Sequence, residues 1–212
     1  MTSIAAVLLG AAACGGDGES VRDKPLSQSE LSRAVLTQGD MPGYKFFDES
    51  RAKKDRSARA ATKSCQPIVA FAMAPEVSAY DNRLARQSIT KGEKPDASYQ
   101  LTLTSIESES VAEEALKELE SAVSACGSGF NVTIYGEEEK IRRITADKNT
   151  SGNSEIGFSL EYQRGIKIRY AVMRQGATLA RISAAHQSMS EFVAVPQRII
   201  DKQIQKLEKA AK

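Results

Sequence analysis

The chain has 212 residues, of which 41% are hydrophobic and 26% charged, a balance that points to one soluble domain with a tail. The net charge of +2 lacks the basic excess expected of a nucleic-acid binder. There is no Trp, one His (His186) and three cysteines, Cys14, Cys65 and Cys126, an odd number that asks for a separate role for one of them. Residues 4–13 are apolar and end in Ala11, Ala12 and Ala13. The run is shorter than the roughly 20 residues that span a bilayer and fits the core of an export signal. Cys14 follows at once, then Gly15, Gly16, Asp17 and Gly18. No Lys or Arg precedes the apolar run, so the expected start codon lies upstream and Met1 is internal; reading the gene upstream in frame tests this. The competing reading is an apolar N-terminal helix with a buried cysteine.

With Cys14 set aside, Cys65 and Cys126 form an even pair, and in an oxidising compartment a disulfide between them is expected. It closes a loop of about 60 residues, worth roughly 4 kcal/mol in the chain-entropy treatment. Two free buried thiols or a catalytic cysteine are the alternatives. The spacing of two cysteines and His186 matches no zinc pattern.

Residues 14–26 read as a tether and 27–212 as one domain. Ser27 and Glu30 form a capping box for a short helix with Leu31, Ala34 and Val35, stopped by Gly39–Gly43. Tyr44 to Phe47 suits a first strand. Residues 50–63 carry Arg51, Lys53, Lys54, Arg56, Arg59 and Lys63 against one acid, Asp55, with no apolar periodicity. They read as an exposed, mobile basic loop, solvated or drawn to anionic headgroups and wall polymers. A short helix from Cys65 through Ile68, Val69, Phe71 and Ala72 ends at Pro75. Strands are expected over 83–90 and 99–106, the second alternating Tyr99, Leu101 and Leu103 with polar residues. Ser110 is placed as the cap of a helix whose stripe is Ala112, Ala115, Leu116, Leu119, Val123 and Cys126.

A run of strands follows: 130–134, 141–146, 156–162, 166–172 and 179–184. Ile156, Phe158, Leu160 and Tyr162 share one face, and so do Ile166, Ile168, Tyr170 and Val172. This is an antiparallel meander with one apolar face that needs a cover. The last helix, with Pro196 near its first turn and Ile199, Ile200, Ile204 and Leu207 in its stripe, is expected to supply it. The fold class is therefore α+β: an antiparallel sheet with helices packed on it and one disulfide.

Ala11-Ala12-Ala13-Cys14 resembles the lipobox of bacterial lipoproteins. With it come Leu36-Thr37-Gln38-Gly39-Asp40-Met41-Pro42-Gly43-Tyr44, one cysteine before a short helix and one near the end of a second, then a meander and a last helix. The whole pattern resembles small actinobacterial cell-surface lipoproteins and is similar to the PknH-like extracellular sensor domains of mycobacterial serine/threonine kinases, over roughly residues 27–212. The resemblance implies a signal peptide over 1–13, a lipid on Cys14 and a domain on the outer face of the membrane. It also implies an antiparallel sheet with helices and a groove for a ligand. The family uses two disulfides where this chain has cysteines for one.

Catalytic signatures are missing: no Gly-rich phosphate loop, no Gly-x-Ser-x-Gly and no His-Glu-x-x-His. A Ser-His-Asp site would have to recruit His186, which reads as a lone hydrogen-bonded histidine. Glu137-Glu138-Glu139 reads as a solvated charge run on a turn, and Asn131-Val132-Thr133 as a sequon without meaning inside a strand. The expectation is a non-enzymatic binding or sensor-like domain with no cofactor and no metal. Its partners are the membrane, through the anchor, and a small ligand, a wall polymer or a membrane protein; the alternative is a cell-envelope hydrolase.

Overall fold

A computed structural model describes residues 24–49, 58–73, 83–147 and 156–211. Among them are four α-helices: α1 (Gln28–Ala34), α2 (Gln66–Ala72), α3 (Glu109–Ala125) and α4 (Gln197–Ala210). The nine strands are β1 (Tyr44–Asp48), β2 (Ala58–Ala60), β3 (Leu84–Lys91), β4 (Ala97–Ser105), β5 (Phe130–Ile134), β6 (Glu137–Ala146), β7 (Ile156–Tyr162), β8 (Lys167–Gln175) and β9 (Thr178–His186). They form one antiparallel sheet in the order β1-β3-β4-β9-β8-β7-β6-β5-β2. The expected α+β architecture is the one observed. No helix among the described residues is long and apolar enough to cross a membrane.

Local chemistry starts each helix. Ser27 Oγ accepts the Glu30 amide at 3.3 Å, and the Glu30 carboxylate accepts the Ser27 amide at 2.8 Å, the capping box read from the sequence. Helix α1 ends at Ala34, short of the Gly39–Gly43 stretch expected to stop it, because Val35 already turns extended. Helix α3 starts two residues earlier than expected: Ser108, not Ser110, is its cap and accepts the Val111 amide. Pro196 stands just outside α4 as its N-cap.

The central strands are buried on both faces, which corrects the expectation of one apolar face under α4. Face A carries Phe158, Leu160, Tyr170, Val172 and Leu179 and is covered by α2 and α3 through Ile68, Val69, Leu116, Leu119 and Val123. Face B carries Ala85, Ile89, Leu101, Leu103, Ala171, Met173, Ala180 and Ile182 and is covered by α1 and α4 through Leu31, Val35, Ile199, Ile200, Ile204 and Leu207. Strand β8 shows the reason: Ala171, Val172 and Met173 are consecutive and all buried, as in a strand packed on both sides. The two helix layers are staggered. The β1, β3 and β4 side of face A lies beyond the face-A core.

The sheet coils around face A. Ten peptide steps join Asp48 on one edge strand to Ala58 on the other, and they reach at most about 36 Å, less than the about 38 Å of eight flat strand spacings. Helix α2, only about 10 Å long, touches edge strand β2 through Gln66 and central strand β9 through its last carbonyls, whereas five flat spacings would be about 24 Å. Face A is therefore the concave side.

Strand β2 corrects the reading of residues 50–63 as an unstructured loop. Ala58 and Ala60 are buried in the face-A core while Arg59 between them is exposed. Gln66 then acts as a substitute for a neighbouring strand: its Oε1 accepts the Ala60 amide at 2.8 Å and its Nε2 donates to the Ala58 carbonyl at 3.4 Å. An edge strand that would otherwise offer unpaired groups is closed by one side chain. A 3-10 turn over Lys63–Cys65 leads into α2.

Cys65 and Cys126 are both buried and bonded to each other across 61 positions, with Cα atoms 6.0 Å apart. The bridge ties the start of α2 to the C-cap of α3. Gly129 follows with φ +85°, and a Cβ there would lie 2.1 Å from the Ile141 carbonyl oxygen, so only glycine lets the chain leave α3 this close to β6.

Candidate functional site: the open half of the concave face

Strand register lines up the polar side chains of face A. Arg86 on β3 is opposite Thr102 on β4, which is opposite Arg181 on β9. In the next row, Phe47 on β1, Ser88 on β3, Gln100 on β4 and Ser183 on β9 stand side by side, and Tyr170 on β8 ends the polar part. Directly opposed residues on neighbouring antiparallel strands share a face. The boundary between the polar and apolar halves of face A thus runs between β9 and β8.

The first row is buried. Arg86, Thr102 and Arg181 have relative exposures of 1%, 1% and 6%. Arg181 organises the row. Its Nη1 donates to the carbonyls of Phe71 (2.6 Å) and Ala72 (3.0 Å), capping the C-terminus of α2. Its Nη2 donates to Gln100 Oε1 (3.1 Å) and Thr102 Oγ1 (3.0 Å). Gln100 Nε2 donates in turn to Glu49 Oε2 at 3.1 Å. One guanidinium therefore joins helix, central strand and neighbouring strand, and it fixes the Gln100 amide from one side while Glu49 fixes it from the other.

The second row is open. Phe47 is 54% exposed, and Ser88, Gln100 and Ser183 are half-buried. Tyr170 is buried and stacks on Phe158 with ring centroids 4.9 Å apart. Burial pushes its phenol up to about 12, although Arg181 and a hydrogen bond from Tyr162 pull the other way. A phenol that stays neutral this far above physiological pH binds or positions; it does not serve as a base.

The residues singled out from sequence fall elsewhere. Cys14, Arg51, Lys53, Lys54 and Arg56 lie outside the described residues. Arg59 and Lys63 are exposed on and just after β2, at the sheet edge farthest from β1. Cys65 and Cys126 form the disulfide and so have no thiol for catalysis or metal. His186 ends β9 in an exposed turn: its Nδ1 accepts the Ser188 amide at 3.1 Å and lies 2.7 Å from Ser188 Oγ. Among the described residues no carboxylate bonds to its other nitrogen, so the third member of a triad is missing there. Glu137 and Glu138 are exposed at the start of β6, and Glu139 pairs with Arg164 at 2.9 Å. The open depression of about 520 Å³ beside them is lined by Asn131, Glu138, Glu139, Lys140, Gln163 and Arg164, without a buried polar group converging on it. Among the described residues no three metal-ligating side chains come together.

The arginine row was not legible in the sequence, because an arginine in an alternating strand reads as solvent-facing. The available signal was the other half of the alternation: Ala180, Ile182 and Ala184 are apolar too, so Arg181 and Ser183 cannot both face water unless that half of face A is exposed.

The stretch that carried the sequence resemblance is architectural. Asp40 Oδ2 accepts from the Thr37 amide (2.7 Å), the Thr37 hydroxyl (2.8 Å) and Lys206 Nζ (2.6 Å). Gly43 takes φ +88° to turn into β1, and Tyr44 starts the strand inside the face-B core.

The fold has a counterpart among solved structures. The fold is similar to that of the extracellular domain of PknH from Mycobacterium tuberculosis. The TM-score is 0.57 at 10% identity, covering 89% of this chain and 98% of that one. Identity this low makes the likeness to PknH one of fold. A second structure, Ara h 8.0201, has 8% identity and a TM-score of 0.12, and covers 80% of this chain and 95% of that one. No family model matches the chain. No curated protein matches it either.

Proposed function

We propose that this chain is a non-enzymatic, sensor-like binding domain outside the cell membrane, anchored by a lipid on Cys14, which meets its ligand with the open half of concave face A. The observation that carries the reading is the open second row, Phe47-Ser88-Gln100-Ser183, on the half of face A that lies beyond the core under α2 and α3 while its opposite face is covered by α1 and α4. A face left polar and open opposite a helix-covered core is where a scaffold of this kind can take a ligand without losing its core. The disulfide supports an oxidising, extracytoplasmic compartment. The small residues before Cys14 and the Gly-rich segment after it support lipidation. The similarity to a domain described as extracellular points the same way. The basic run of residues 51–63 supports contact with anionic headgroups beside the anchor.

The test is feeding an alkyne-tagged fatty acid to cells that express the wild-type chain or Cys14→Ser. The expected result is label on the wild type alone and release of the variant from the membrane fraction. Equal labelling, or none on either, would sink the anchor. A hydrolase reading is favoured by no arrangement at His186, since its Nδ1 is engaged by the adjacent turn.

A further inference from the structure

We infer that the open half of face A takes a neutral, hydroxyl-rich ligand, a glycan chain laid across β1, β3, β4 and β9; this rests on the reading of that half-face as the binding surface. The row offers one exposed aromatic ring, Phe47, followed by a hydroxyl, an amide and a hydroxyl at Ser88, Gln100 and Ser183. Thr90 and Ser98 continue it in the next row toward the strand ends. Neighbouring strands are about 4.8 Å apart, so the row repeats at a spacing close to the length of a pyranose ring. An aromatic ring packs against the C–H face of a sugar, and amides and hydroxyls exchange hydrogen bonds with its hydroxyls, each able to donate and accept.

Other ligand classes fit less well. An apolar chain would strand the hydroxyls of Ser88 and Ser183 and the second N–H of Gln100, which costs more than its burial returns at so polar a surface. An anionic ligand would need a concentration of positive charge, and the open rows carry one exposed cation, Lys45 opposite Thr90, offset by the acid Glu49 on the other side of Phe47; Arg86 and Arg181 stand in the buried row behind, where Arg181 already donates to Gln100, Thr102 and two α2 carbonyls. At its β1 end the row is flanked by Lys45 on one side and, on the other, by the acid Glu49, which accepts from Gln100. Gln100 is held by that acid and by Arg181, and its second N–H carries no other hydrogen bond among the described residues. It is a donor held in place within the row. The remaining exposed aromatics lie apart from it: Tyr135 is at the β5–β6 turn, and Phe192 lies under the cations of Lys167 and Arg169.

The experiment presents the full-length protein to an array of immobilised oligosaccharides, neutral and anionic, with Phe47→Ala, Gln100→Leu and Tyr135→Ala in parallel. Circular dichroism and the intact disulfide mass confirm that each variant is folded, and Phe47 is exposed enough that its truncation leaves the core untouched. The inference expects retention on neutral glycans, about tenfold weaker for Phe47→Ala and at least as weak for Gln100→Leu, with Tyr135→Ala unchanged. Retention on no glycan, on anionic glycans alone, or retention unmoved by both row variants overturns it. A non-glycan adduct in native mass spectrometry that is lost with Gln100→Leu would overturn the glycan while keeping the binding surface; an adduct indifferent to Gln100→Leu would remove both.

Discussion

Gly129 and Asp40 show how much one residue decides here. Gly129 lets the end of α3 leave across β6, and any side chain would meet the Ile141 carbonyl oxygen. Gly129→Ala is expected to cost about 3 kcal/mol or more, read by urea unfolding with the disulfide intact. Asp40 accepts from Lys206 and twice from Thr37. Burial acts to raise its carboxyl, but Lys206 and the Thr37 donors outweigh it and hold the carboxyl below its ordinary value. A depressed folded-state value means that the stabilisation is complete above the unfolded value of about 4 and is lost as pH falls through the folded one. Asp40→Asn should therefore cost about 1 kcal/mol at neutral pH and converge with the wild type near pH 2, in chemical unfolding across that range. Asp40 stood out in the sequence as part of a recognisable stretch, but its partner Lys206 is 166 positions away, and no local pattern announces such a pair.

Among the elements, α1 and α4 are fastened by a residue that the helical stripe hides. Gln203 is fully buried among Ile199, Ile200, Ile204 and Leu207, where a polar residue would be unfavourable without partners. It has both: Oε1 accepts the Leu36 amide at 3.1 Å, and Nε2 donates to the Ala34 carbonyl at 2.9 Å. Gln203→Leu keeps the volume and strands two backbone groups where α1 ends. The expected loss is about 2–4 kcal/mol by thermal or urea unfolding, with amide exchange rising first at Leu36. The capped, amphipathic helices and the alternating strands were legible because local period and capping chemistry specify them. Strand β2 was not, since Ala58-Arg59-Ala60 is three residues in a basic run and owes its place to Val132, Ile134 and the Gln66 side chain. The division of helices between faces was also hidden. The apolar residues of β8 and β9 alternate on both sides, and sequence order does not say which helix covers which.

At the scale of the whole molecule, the disulfide and Arg181 hold the concave side together. Cys65–Cys126 fixes the start of α2 against α3, and Arg181 fixes its end to β9. Removing the bridge in a Cys65→Ala, Cys126→Ala double variant should cost about 2–5 kcal/mol and loosen α2, with faster amide exchange there than in α4. The cysteine pairing was legible from compartment and count. The open half-face was not, because it arises where one helix layer stops and the other lies on the opposite side. The measurement that tests the central claim most directly is native mass spectrometry of the protein extracted gently from its own membranes. The expected mass begins at Cys14, carries a diacylglycerol and lacks the two hydrogens of the Cys65–Cys126 thiols; a bound molecule retained by wild type and lost from Gln100→Leu completes it. A mass that still includes the residues before Cys14, with no lipid and with free thiols, would contradict the account at its root.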